Sequence, residues 1–206
     1  MYLVFGPFGN ELQAILETTA IGRLLEKGVK MSVAANFFLV LMVLVSSVNA
    51  HCEVIFVAET GFIIQNKIQV NSNKEETWNV FTRQVQQWWP SDHTWWGDAG
   101  ILTIDTHAGG CFCEKSGKKS AEHMQVSYVD PNNIMRMTGG LGPLQGMGMF
   151  GALEWSFNTN KHGTEVTMTY KVNGISPEGF TELAPIVDRV QAIQLNGLED
   201  FVRANN

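Results

Sequence analysis

The chain has 206 residues, with 14 basic against 20 acidic side chains and a net charge of −6. Apart from the adjacent Lys118 and Lys119 it carries no basic cluster beyond residue 50, which argues against nucleic acid and anionic lipid headgroups as partners. Its three cysteines lack the two pairs that a structural zinc site needs. We therefore expect no metal, no cofactor and no membrane partner beyond an N-terminal anchor.

Residues 1–50 are predicted to lie outside the folded domain. Residues 37–45 are continuously apolar, small residues end at Ala50, and Lys27 and Lys30 form a positive flank. This layout is typical of a signal peptide, which predicts export to the periplasm or secretion. The alternative is a membrane anchor over residues 33–48, although a span needs ~20 mostly apolar residues. The sequence leaves open whether the protein starts at Met1 or Met31.

The rest of the chain predicts a linker over residues 51–61 and one domain over 62–206. A strand over 62–70 precedes a helix over 74–89, and a C-terminal helix starts near Ser176. The strands between them are short and separated by tight turns, which favours antiparallel pairing with helices covering one face. The fold class is therefore α+β. The buried stripe of the last helix is predicted from five apolar residues, Ile186, Val190, Ile193, Phe201 and Val202.

Nine residues of the chain, 88–96, hold four of its six tryptophans. Tryptophan buries a large apolar area and carries an N–H that needs a partner, so such clusters line cores, pockets and interfaces. One interpretation is a helix end packed onto the core, and the other is the wall of a ligand cavity. In the second case His93 would add a titratable group to an aromatic wall.

Strand alternation predicts which side chains point inward. Glu114 would face inward with Phe112, and Glu122 with Met124, on neighbouring strands of one hairpin. Their carboxylates would then lie close together in the interior. His123 would face outward unless a bulge intervenes, and a register error of one residue would put both acids in solvent.

Two further segments were weighed for chemistry. Cys111 and Cys113 share one face of a predicted strand, where a bridge would be strained, so they are interpreted as small buried residues. The glycine-rich residues 139–151 run directly into a strand rather than a helix, which excludes a nucleotide-binding loop. They are predicted to form either the lid or mouth of an apolar cavity or a plain hairpin connection.

Several motifs between about Ile68 and Val202 together form a family pattern. They are Glu76-Thr77-Trp78-Asn79-Val80-Phe81, Trp88-Trp89-Pro90, Gly109-Gly110-Cys111-Phe112-Cys113-Glu114, Val129-Asp130-Pro131 and the C-terminal helix. On these residues the chain resembles the SRPBCC superfamily of START-like, helix-grip domains, and within it the branch related to activators of the heat-shock-protein ATPase and to polyketide cyclases. The resemblance implies a curved antiparallel sheet gripping a long C-terminal helix, with a cavity between them, and no shared catalytic residue.

The resulting hypothesis is a pocket for a small hydrophobic molecule, without established catalysis. Glu114 and Glu122 would orient the ligand. An enzyme of cyclase or hydrolase type would instead use Glu114, Glu122 or His93 as a general base. An interaction protein or co-chaperone would dock through the tryptophan cluster. The predicted wall of the pocket comprises Trp88, Trp95, Trp96, Met124, Tyr128, Met149, Trp155, Met168 and Tyr170.

Overall fold

A computed structural model describes residues 51–205 of the chain, with side chains from residue 53 onward. The elements are β1 (His51–Ala58), β2 (Gly61–Val70), α1 (Lys74–Arg83), α2 (Val85–Trp88), β3 (Ile101–Ile104), β4 (Cys111–Ser116), β5 (Lys119–Asp130), β6 (Ile134–Gly139), α3 (Pro143–Gly146), β7 (Phe150–Asn160), β8 (Gly163–Asn173) and α4 (Leu183–Asn205). Residues 89–100 connect α2 to β3 and form the tryptophan loop, which contains two short 3-10 turns, Ser91–His93 and Gly97–Ala99.

The eight strands form one antiparallel sheet in the order β1-β2-β8-β7-β6-β5-β4-β3. The long helix α4 contacts β1 and β2 as well as α1 and α2. This arrangement is an α+β helix-grip fold, which confirms the predicted fold class. The apolar residues of β7 and β8 that face inward alternate along each strand and are buried: Leu153, Trp155, Phe157, Val166, Met168, Tyr170 and Val172.

The segment expected to be a linker, residues 51–61, contains a strand instead. β1 pairs with β2 from His51 opposite Lys67 to Ala58 opposite Gly61, so the two strands form a tight hairpin at the edge of the sheet. The sequence Val54-Ile55-Phe56-Val57 is rich in β-branched and aromatic residues, which favour strands. The expectations for residues 1–50 fall outside the described residues.

The helix predicted over residues 74–89 is divided in two. Asn73 caps α1 by accepting a hydrogen bond from the backbone N–H of Glu76 at 2.9 Å. Acidic residues in the first turn stabilise the helix further, because they interact favourably with the positive end of the helix dipole. Gln84, with φ −121° and ψ 23°, then leaves helical geometry and separates α1 from α2. The division keeps Phe81 and Trp88 on the buried side, where their rings stack at 6.0 Å between centroids.

The aromatic core centres on Phe81, which is fully buried. Its ring lies 4.8 Å from that of Trp155 and 5.3 Å from that of Phe157, so α1 is fixed against the inner face of β7. Together with Trp88, the Trp78 ring, whose centroid is 6.0 Å away, completes the four aromatic contacts of Phe81 that are described. Aromatic pairs at these distances contribute beyond the area that they bury.

The buried face of α4 differs from the predicted stripe. The helix begins at Leu183 rather than near Ser176, and Ile186, Val190 and Ile193 are exposed. Of the predicted stripe, Val202 is buried. The buried residues of α4 are Ala184, Val187, Asp188, Gln191, Ala192, Gln194, Leu195, Leu198 and Val202.

Between residues 51 and 205 no helix is long and apolar enough to cross a membrane. Within the same range, no group of three or more His, Cys, Asp or Glu side chains is arranged to hold a metal ion.

Replacing Phe81 by alanine is expected to lower the free energy of unfolding by ~3–5 kcal/mol, because it removes the centre of the aromatic core. Phe150→Ala is the matched control, since Phe150 is 57% exposed and should change stability little. Urea unfolding of both variants measures the difference. Equal losses would contradict the assignment of Phe81 as the centre of the core.

Candidate functional site: a cavity beneath the tryptophan loop

A cavity of about 320 Å³ lies between α4, the tryptophan loop and the glycine-rich segment. From the sheet, His123 of β5 lines the cavity. Apolar side chains form most of the remaining wall. The lining residues are Trp89, Asp92, His93, Thr94, Trp95, His123, Leu141, Gly142, Pro143, Leu144, Met147, Leu183, Ile186, Val187, Val190, Gln191 and Gln194.

A β-bulge turns His123 into this cavity. Phe112 pairs with Met124, but the next residue of β4, Cys113, pairs with Glu122, so His123 is the extra residue on β5. His123 is 5% exposed, whereas Glu122 is exposed. The prediction that Glu122 faces inward beside Glu114 is therefore wrong, and the condition under which His123 would turn inward is met.

Glu114 faces inward as predicted, and its side chain is completely buried. One carboxylate oxygen, Oε2, accepts the backbone N–H of Trp95 at 2.9 Å and lies 3.0 Å from Nε2 of His123. The other oxygen, Oε1, accepts the backbone N–H of Trp96 at 2.9 Å. Glu114 therefore fixes the tryptophan loop and the His123 ring at the same time.

The His123 imidazole is neutral at neutral pH. Burial lowers its pKa from the ordinary value of 6.5, and the hydrogen bond and charge of Glu114 only partly oppose this effect. Because a carboxylate only accepts hydrogen bonds, we assign the ring proton to Nε2, which donates to Glu114. In this tautomer Nδ1 is an acceptor.

A second bulge overturns the prediction for Tyr128. The pairing of β5 with β6 shifts between Val126 and Tyr128, and Tyr128 is 45% exposed instead of facing the interior. Its ring lies 5.4 Å beneath the guanidinium of Arg136 on the outer face of the sheet. Tyr128 consequently cannot belong to the cavity wall.

Most of the other residues predicted for the wall belong to the core and do not line the cavity. Tyr170 has a local role, because its hydroxyl donates to the Gly139 carbonyl at 2.9 Å and accepts the Leu141 N–H at 3.0 Å. Burial raises the pKa of Tyr170 to about 12, although the Leu141 hydrogen bond opposes the shift. The core residues concerned are Trp88, Met124, Met149, Trp155, Met168 and Tyr170.

The tryptophan loop and the glycine-rich segment both reach the cavity. Trp95 and His93 line it, whereas the neighbouring Trp96 does not. The glycine-rich segment contributes residues from Leu141 to Met147, which agrees with its interpretation as part of a cavity mouth. Trp89 also lines the cavity, and its indole N–H donates to the His93 carbonyl at 3.2 Å.

Two glutamines of α4 were not predicted as site residues. Gln191 and Gln194 line the cavity, are 2% and 5% exposed, and each has a buried carboxamide oxygen without a hydrogen-bond partner among the described residues. His93 Nδ1 is in the same condition. The spacing of Val187, Gln191, Gln194 and Leu198 is the only sequence signal that could have identified the glutamines as inward-facing.

Cys111 and Cys113 form a disulfide, contrary to the interpretation of two small buried residues. Both are partly exposed on one face of β4, and their Cα atoms are 5.3 Å apart, within the usual range for a disulfide. The bulge begins beside Cys113, where the regular pairing of β4 is interrupted. The bridge therefore spans the point at which His123 is turned inward.

No protein-family model matches the sequence, and no curated protein sequence matches it. Among solved structures, the chain is similar to an uncharacterized protein from Rhizobium leguminosarum, with 14% identity, a TM-score of 0.52, and 72% of this chain and 99% of that one covered. A protein from Rhodobacter sphaeroides has 13% identity and a TM-score of 0.52, and the match covers 75% of this chain and 99% of that one. A protein from Staphylococcus aureus has 11% identity and a TM-score of 0.52, and the match covers 76% of this chain and 98% of that one. At these identities the likeness shows the fold alone.

His123 makes stability depend on pH. Since its pKa is lower in the folded protein than the ordinary 6.5, the unfolded chain binds more protons below this pH. Stability should therefore fall as the pH falls from 6.5 through the folded-state pKa. His123→Gln retains a donor for Glu114 without titrating, so denaturant unfolding between about pH 7 and pH 5 should show a weaker pH dependence.

His162→Gln is the control for this experiment. It replaces an exposed histidine and leaves the buried imidazole in place, so the wild-type pH dependence should persist. An unchanged pH dependence in His123→Gln would contradict the assignment.

Replacing Glu114 by glutamine should lower the free energy of unfolding by ~1–3 kcal/mol. The amide nitrogen would replace one of the two carboxylate oxygens, and its N–H groups would oppose the backbone N–H of either Trp95 or Trp96, which now donates to that oxygen. The matched control is Glu154→Gln. Glu154 is partly exposed and pairs with Arg136 at 2.6 Å, so its replacement should lower the free energy of unfolding by only about 0–1 kcal/mol. Thermal or urea unfolding measures both, and a smaller loss at Glu114 than at Glu154 would contradict the prediction.

Proposed function

We propose that the protein binds a small hydrophobic molecule in the cavity beneath the tryptophan loop, as a member of the SRPBCC superfamily. The observation that carries the proposal is the cavity itself, about 320 Å³ in volume, with largely apolar walls and a few polar groups at fixed positions. Small-molecule sites generally combine these two properties. The helix-grip fold and the residues that resemble the superfamily support the same function.

The mouth of the cavity suits an apolar ligand. Trp95, Met147 and Ile186 line the cavity, yet each is about half exposed, at 48%, 49% and 52%. Large apolar side chains grouped at the surface of a soluble domain commonly mark a binding site. Here they belong to three separate segments, which a ligand would cover together.

Trp95→Ala should weaken binding of N-phenyl-1-naphthylamine, a neutral apolar dye, because it removes part of the cavity wall. Fluorescence titration measures the affinity, and a loss on the order of tenfold is expected from the apolar area removed. Trp96→Ala is the matched control, since the adjacent side chain does not line the cavity. Equal affinities in both variants, or no dye binding by the wild type, would contradict the proposal. Native mass spectrometry of protein from its own cells would identify the bound molecule.

A second candidate function, catalysis, is favoured by the Glu114–His123 pair. The two side chains are 3.0 Å apart, and the His123 ring lines the cavity with Nδ1 assigned as an acceptor. A neutral imidazole oriented by a carboxylate can act as a general base. The test is to incubate the co-purifying molecule with wild type and with His123→Gln; a product formed only by the wild type would favour an enzyme.

We further propose that the protein acts in an oxidising compartment after export. The disulfide between Cys111 and Cys113 supports this location, because such bridges persist mainly outside the reducing cytosol. The uncharged, apolar residues 37–45 support it independently. N-terminal sequencing of native protein should show a start just after Ala50. Soluble cytosolic protein that still begins at Met1 or Met31 would contradict the proposal.

A further inference from the structure

We infer that the cavity selects uncharged amphiphiles that carry a hydroxyl or another hydrogen-bond donor, and that it rejects carboxylates such as fatty acids. The inference rests on the proposed ligand-binding function and specifies the chemical class of the ligand. Three features of the cavity lead to it: the charges in its wall, the acceptors left without partners, and the arrangement of the Glu114–His123 pair.

The wall contains no cation to receive an anionic ligand. Neither lysine nor arginine lines the cavity in the described part of the chain, and its one acidic lining residue is Asp92. Behind His123 lies the buried carboxylate of Glu114. A ligand carboxylate would lose its hydration without gaining an ion pair, and it would lie near another negative charge. Anions are therefore disfavoured.

The same wall offers acceptors that lack donors. Gln191 and Gln194 lie three residues apart on α4, which places them on one side of the helix. Each has a buried Oε1 without a hydrogen-bond partner among residues 53–205. Neighbouring atoms cover these oxygens, and leaving a buried acceptor unsatisfied is unfavourable. A ligand O–H or N–H that meets one of them after a rotation of the glutamine side chain would therefore bind more tightly.

His123 is oriented to act as a further acceptor. Its Nε2–H is directed to Glu114, which leaves Nδ1 with a free lone pair. Glu114 itself already accepts from Trp95, Trp96 and His123, so it is not a free partner for a cationic ligand. A neutral ligand with a donor group therefore satisfies the cavity better than an anion does.

Three naphthalene probes of the same ring size test the inference: 2-naphthol, 2-methoxynaphthalene and 2-naphthoate. Displacement of N-phenyl-1-naphthylamine at neutral pH gives their relative affinities. We expect 2-naphthol to bind on the order of tenfold more tightly than 2-methoxynaphthalene, which has no donor. We expect 2-naphthoate to bind on the order of 100-fold more weakly than 2-naphthol.

Variants locate the acceptors. In the double variant Gln191→Leu with Gln194→Leu, the advantage of 2-naphthol over 2-methoxynaphthalene should shrink, whereas the methoxy compound should still bind. Gln87→Leu is the matched control, because Gln87 is exposed on α2 and its loss should leave the ratio unchanged. The wild-type ratios decide the question if the double variant does not fold.

The outcomes separate the inference from the function on which it rests. Equal binding of 2-naphthol and 2-methoxynaphthalene would overturn the inference, because water rather than the ligand would then satisfy the acceptors, while ligand binding itself would stand. Binding of 2-naphthoate as tightly as 2-naphthol would also overturn it. If N-phenyl-1-naphthylamine does not bind the wild type, the proposed function fails together with the inference.

Discussion

One buried carboxylate connects the parts of the structure that form the cavity. Glu114 extends from β4, accepts two backbone N–H groups of the tryptophan loop, and hydrogen-bonds the His123 ring on the bulge of β5. Hydrogen bonds to a charged acceptor are stronger than those between neutral groups, and a fully buried one is not weakened by competing water. The position of Trp95 at the cavity and the orientation of His123 therefore depend on the same side chain.

This arrangement explains why a binder and an enzyme are difficult to tell apart by composition. A carboxylate that holds a neutral imidazole at a cavity wall gives a hydrogen-bond acceptor for a ligand and a base for a proton transfer. The distinction depends on whether a bound molecule presents a labile proton and an electrophilic or leaving group near His123. The arrangement of Glu114 and His123 at the cavity wall is the same for both functions.

The regular parts of the fold could be predicted from the sequence because each follows one period. Leu153, Trp155 and Phe157 alternate without interruption along β7, and the strand pairs with both neighbours without a register shift. On β5 two bulges each add a residue, and alternation then assigns the wrong face to Glu122 and Tyr128. The residue types of β5 do not indicate where a bulge lies, because a bulge is a shift in the pairing with the neighbouring strand. On α4 the inward face carries Gln191 and Gln194, so a stripe chosen by apolarity alone includes three exposed residues, Ile186, Val190 and Ile193. Gln191 and Gln194, which are polar and buried, are therefore the part of the cavity wall that the sequence did not predict.

The burial of Glu114 extends its influence to a residue that does not touch the cavity. Gly100, just before β3, is buried against the Glu114 side chain, and a Cβ at this position would clash with Oε1. Its backbone angles are ordinary, so the requirement for glycine comes from space and not from conformation. Even alanine there would have to displace the carboxylate, and with it the tryptophan loop and His123. In related sequences that vary freely at the ligand-lining positions, Gly100 should therefore change only together with Glu114.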